Sequence, residues 1–84
     1  MHRVYMHFML RDGWCCQFME DDLKTHLAKR VSFRDPTKIY EIARRAGAFN
    51  NLEEKHALDH AIEIGRGGIW LRLTDEQYQK LKRA

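Results

Sequence analysis

The chain has 84 residues, 44% of them hydrophobic and 32% charged, which is enough for one domain with one core and too few for two. That balance excludes a disordered chain, no apolar run approaches the roughly 20 residues of a membrane span, and the alternating start Met1-His2-Arg3-Val4-Tyr5 is unlike a signal peptide. A net charge of +3, with acids mixed among bases, permits a nucleic acid partner without demanding one, and the cytoplasm is the expected compartment.

From Arg3 to Leu10 the residues alternate, with Val4, Met6, Phe8 and Leu10 on one face and Arg3, Tyr5, His7 and Met9 on the other, which predicts a strand. Arg11-Asp12-Gly13 follows, and Trp14 to Glu20 predicts a second strand. A three-residue loop sets Leu10 against Trp14, Phe8 against Cys16 and Met6 against Phe18, giving one continuous apolar face. It also puts Gly13 where a type I turn plus bulge needs positive φ. Leu23 to Lys29 has no period and predicts a connection; Arg30 to Phe33 predicts a short third strand.

Asp35 as N-cap and Pro36 at the first helical position open a helix. Its stripe is Ile39, Ile42, Ala43 and Ala46, with Tyr40 at the edge; Lys38, Glu41, Arg44 and Arg45 lie opposite, and Gly47 is the stop. A second helix is predicted from about Asn51 to Ile64, capped by Asn50 or Asn51, with Ala57, Leu58, Ala61, Ile62 and Ile64 on one side. Gly65-Arg66-Gly67-Gly68 breaks it. Ile69 to Leu73 predicts a strand with Trp70 and Arg72 outward. Thr74 to Gln77 has capping-box spacing for a last helix, whose apolar side is Tyr78 and Leu81. The expected fold is therefore α+β: a mainly antiparallel sheet of three or four strands, hairpin first, with three helices, in the order β-β-(β)-α-α-β-α.

Four constellations are candidates for carrying chemistry. His56 and His60, four residues apart, share a helix face and could clamp a metal, with Glu53 or Glu63 as an oxygen ligand. The catalytic zinc motif needs Glu directly after the first His, where Ala57 stands, and both His lie on the polar side, so solvated histidines are expected and no metal or other cofactor is assigned. Ile42-Ala43-Arg44-Arg45-Ala46-Gly47 resembles the first helix and turn of helix-turn-helix DNA-binding proteins of the Lac-repressor kind. That resemblance implies apolar anchors six and nine positions after the glycine. Glu53 and His56 occupy them, and the carboxylates would face phosphate, so the residues themselves favour a helix that simply ends at Gly47. The Gly65–Gly68 run leaves a helix and enters a strand, the wrong polarity for a phosphate cradle.

The fourth is the second sheet face, where Tyr5, His7, Met9, Cys15, Gln17, Met19, Trp70 and Arg72 project together. Such a face can pack against another copy, bind a protein, stack bases, or lie buried beneath a helix with no function of its own. Catalysis has little support. Cys15 lies diagonal to His7, but no third group orients the pair, and the adjacent Cys15 and Cys16 are expected as reduced thiols. The hairpin followed by a helix is similar, over the first half of the chain, to small antitoxin domains of the HicB kind, which implies a regulatory, antitoxin-like protein. The leading expectation is a non-catalytic interaction module, a homodimer that binds a protein partner through Tyr5, His7, Met9, Gln17, Met19, Trp70 and Arg72. The alternative is a nucleic-acid binder using Arg34, Lys38, Arg44, Arg45 and Arg66 with Arg72; a small ligand-binding domain or enzyme comes third.

Overall fold

A computed structural model describes residues 1–48 and 52–83. The elements are β1 (His2–Leu10), β2 (Trp14–Met19), β3 (Val31–Phe33), α1 (Lys38–Ala46), α2 (Leu52–Ile64), β4 (Arg66–Leu73) and α3 (Asp75–Arg83). The strands form one antiparallel sheet in the order β3-β2-β1-β4, an α+β fold.

Register explains the core. Leu10 faces Trp14, Phe8 faces Cys16 and Met6 faces Phe18, as the three-residue loop requires. On the other flank Val4 faces Leu71 and Met6 faces Ile69. Successive side chains on a strand point to opposite faces, so these pairings put Val4, Met6, Phe8, Trp14, Cys16, Phe18, Ile69, Leu71 and Leu73 on one side, where all are buried. Ile39, Ala43 and Ala46 of α1 and Leu58 and Ala61 of α2 complete the same cluster, and Tyr78 and Leu81 of α3 pack against it. All three helices thus cover one face of the sheet.

Several local expectations are corrected. The hairpin loop is not a type I turn plus bulge, because Asp12 joins Gly13 at positive φ (54° and 107°); aspartate tolerates that region. Helix α1 begins at Lys38, with Thr37 in the cap position and making no side-chain cap bond. Asp35 still caps: its Oδ1 accepts from the Thr37 amide at 3.0 Å, and the Lys38 amide donates to the Asp35 carbonyl, so Asp35-Pro36-Thr37 forms a tighter lead-in turn. Gly47 ends the helix in the left-handed region, φ 107°. The expected cap of α2 at Asn50 or Asn51 lies outside the described residues. On α2, Leu58 and Ala61 are buried and Ile62 is half-buried, whereas Ala57 and Ile64 are exposed. They sit roughly a quarter turn off the stripe that meets the sheet.

The largest correction is at Gly65–Gly68. Only Gly65 serves as the turn; β4 starts at Arg66 and runs straight through Gly67 and Gly68. Both glycines are sites of close approach. A Cβ at Gly67 would stand 2.6 Å from the Ala61 Cβ, so α2 rests directly on the strand. A Cβ at Gly68 would stand 2.6 Å from the Tyr5 ring on the opposite face. A glycine pair that reads as a breaker is therefore a strand pressed from both sides.

Side-chain bonds fix the remainder. Tyr40 donates to Asp59, joining α1 to α2, and this bond pushes the phenol up to about 12. Thr74 and Gln77 close the capping box of α3, 3.2 Å from the Gln77 amide to Thr74 Oγ1 and 2.9 Å from the Thr74 amide to Gln77 Oε1. Tyr78 donates to Glu20 at 2.6 Å, tying α3 to the end of β2. In the β2–β3 connection, Asp22 accepts from the Thr25 hydroxyl and from the Lys24 and Thr25 amides.

Two outcomes follow. Phe8→Ala empties the centre of the core and lowers the unfolding free energy by about 3–5 kcal/mol in urea titration, whereas Ile64→Ala, on the exposed end of α2, changes it by less than about 0.5 kcal/mol. The three bonds on Asp22, the Thr25 hydroxyl foremost, hold its carboxyl down at about 2. A depressed carboxyl stabilises the fold above its unfolded pKa and loses that contribution as pH falls toward the folded value. Carboxyl NMR titration therefore finds Asp22 still ionised at pH 3, and Thr25→Val raises its midpoint.

Candidate binding face

Opposite the core, the same pairings lay out a second array. Ser32, Cys15, Met9 and Arg66 form one row across the four strands. Gln17, His7 and Gly68 form the next, then Met19, Tyr5 and Trp70, and finally Arg3 and Arg72. None of these residues is buried: Arg3, Ser32, Arg66 and Arg72 are exposed and the others half-buried. The chain's own helices lie on the far side, so this face is left open. Only at the β4 edge does α2 come near, where Glu53, Glu54, Trp70 and Arg72 border a groove of about 780 Å³.

The centre of the face is aromatic. Tyr5 lies across Gly68, and its ring meets Trp70 at 5.0 Å between centroids, tilted by 52°. The Tyr5 and His7 rings are 6.1 Å apart and within 21° of parallel. The Arg3 guanidinium sits 4.2 Å above the Trp70 ring, a cation–π contact. Glycine at position 68 makes this possible, because a ring from the neighbouring strand fills the space a side chain would take. No residue in the four rows is a carboxylate, while Arg3, Arg66 and Arg72 are cations. Acids stand at the rim: Asp21, 3.6 Å from Arg3, the α2 pair at the β4 edge, and Asp12 at the hairpin end.

Tyr5, His7, Met9, Gln17, Met19, Trp70 and Arg72 are all brought together on this face. The predicted cations are not. Arg66 joins the open face, and Arg34 follows β3, but Lys38, Arg44 and Arg45 belong to α1, in the helical layer beyond the sheet. There Glu41 holds Arg45 at 2.8 Å and Lys38 at 3.8 Å. Arg3 belongs to the site although sequence alternation alone gives it no role; pairing with Arg72 and stacking on Trp70 do. Glu53 and His56, the positions a helix-turn-helix would bury, are exposed. His56 and His60 are exposed too, and among the described residues no three His, Cys, Asp or Glu side chains converge as a metal site. No helix among the described residues is long and apolar enough to cross a membrane.

The two free thiols differ. Cys16 lies in the core, and burial, reinforced by Cys15, pushes its thiol up to about 12. Cys15 is half-buried on the open face, and no hydrogen bond joins it to His7. In native protein one thiol reacts with an aromatic disulfide reagent and the second only on unfolding; Cys15→Ser removes the fast phase and leaves the slow one.

The geometry stands on its own here, since no protein-family model matches the chain and neither a curated protein nor a solved structure is significantly similar to it.

Proposed function

We propose that the protein is a non-catalytic binding module that holds single-stranded nucleic acid on its open sheet face. The observation that carries this reading is the Tyr5–Trp70–His7 array set among Arg3, Arg66 and Arg72 on a surface with no carboxylate of its own. Exposed bases stack on aromatic rings whatever their sequence, and arginines neutralise the phosphates between them. An open sheet face suits a single strand, whose bases can turn outward, better than a duplex, whose bases are stacked inside.

A protein partner is the second reading, favoured by Met9 and Met19 beside the rings, since aromatic residues, Met and Arg are enriched at interfaces. The expected homodimer fits this face less well. A two-fold pairing of open faces sets an arginine-bearing surface against itself, with no carboxylate within it to answer the charge.

Fluorescence anisotropy with a labelled mixed-sequence single strand tests the proposal. Binding is expected, and raising salt from about 50 to 200 mM weakens it roughly twentyfold, the slope for three phosphate contacts on a single strand. Trp70→Ala weakens it at least about fivefold. Arg72→Ala flattens the salt dependence, and Arg45→Ala on α1 leaves it unchanged. Absence of binding at low salt, or binding indifferent to Trp70→Ala, overturns the proposal. A stable dimer by light scattering that Trp70→Ala dissociates supports self-association instead.

A further inference from the structure

One cluster of cations lies beyond the four rows, at the hairpin end of the sheet. Arg11, Arg30 and Arg34 border an open pocket of about 350 Å³ together with Ser32, Cys15 and Asp12. We infer that this pocket takes the terminal phosphate of the strand bound on the open face, an inference that rests on the reading above.

Its position follows from the fold. Ser32 pairs with Cys15, so both belong to the outermost row of the open face, and Arg30 and Arg34 flank Ser32 in the chain. Phe33 stacks on Trp14 within 6° of parallel on the core side, which holds β3 against β2 and places its flanking arginines. Arg11 arrives separately, from the hairpin loop. Cations from three points of the chain thus border one cavity.

The charge is unspent. Among the described residues none of Arg11, Arg30 and Arg34 has a carboxylate within ion-pair distance, in contrast to Arg45 and Lys38 on Glu41. Asp12 is the one carboxylate at the pocket. A terminal phosphomonoester carries about −1.5 to −2 charges at neutral pH, against one for a phosphodiester. Three guanidiniums and a hydroxyl match that dianion, since charge-assisted hydrogen bonds to phosphate oxygens are the strong kind and arginine binds them in pairs. The location matches as well. Past Cys15 and Met9 the strands turn over and the stacking surface ends, so a short strand lying along the rows meets the pocket with its terminus.

Anisotropy with three otherwise identical short single strands separates the possibilities: one bearing a 5′ phosphate, one a 3′ phosphate, one hydroxyl at both ends. The wild-type protein is compared with Arg30→Ala/Arg34→Ala, both exposed positions, after circular dichroism establishes that the variant is folded. One phosphorylated strand is expected to bind about tenfold tighter than the hydroxyl strand. The double variant abolishes that advantage and weakens the hydroxyl strand less than about threefold. If all three strands bind the wild type equally and Trp70→Ala weakens all three, the stacking face stands and the phosphate pocket falls. If none binds, both fall.

Discussion

Setting Phe8 opposite Cys16 decides on which side of the sheet nearly every later side chain lies. A strand has period two, so a slip of one residue between β1 and β2 would send Met6 and Phe8 to water and bring Tyr5 and His7 inward. The β1–β4 pairing obeys the same parity, with Val4 on Leu71 and Met6 on Ile69. Once both flanks of β1 agree, one face is uniformly apolar and three helices have a single place to dock. A chain of 84 residues has enough apolar mass for that one layer of helices, and the burial is accordingly one-sided.

One-sidedness leaves the open face as a by-product. The reverse face needs side chains that tolerate water yet order the strands, and Tyr5 over Gly68 does both. Arg3 then stacks on Trp70, so a cation is held over a ring rather than left free. The charge pattern divides along the same plane. In the helical layer, Glu41 answers Arg45 and Lys38; across the four rows of the sheet face there is no acid at all. A basic, ring-bearing surface without internal neutralisation complements an anion with flat groups, and the nucleic acid proposal rests on that complementarity.

Much of this was legible in the residues. Alternation from Arg3 to Leu10 and from Trp14 onward, with a loop length chosen by which register unites the apolar residues, yields the observed hairpin and therefore both faces. The Thr74–Gln77 spacing yields the last helix. What escaped was set by contacts between distant residues. Gly67 and Gly68 read as punctuation, because nothing local reveals that Ala61 presses on one and the Tyr5 ring on the other. Ala57 and Ile64 read as core because apolar residues on a helix flank are indistinguishable from those on its buried stripe until the width of the contact is known. Lys38, Arg44 and Arg45 read as one basic set with Arg66 and Arg72, though the sheet stands between them. Arg11 and Arg30 meet Arg34 only because β3 pairs with β2.

The central claim is that the reverse of the sheet is open to solvent in the free protein, and the four methionines report on it directly. Met6 is fully buried, Met9 and Met19 lie on the open face, and Met1 is exposed at the terminus. Methyl-labelled methionine in NMR, with a soluble neutral paramagnetic agent added to dilute protein, reads the exposure of each. The account predicts clear broadening of the Met9 and Met19 methyls, with Met6 untouched. Met9 and Met19 shielded as completely as Met6 would mean the face is already covered, and the account would be wrong.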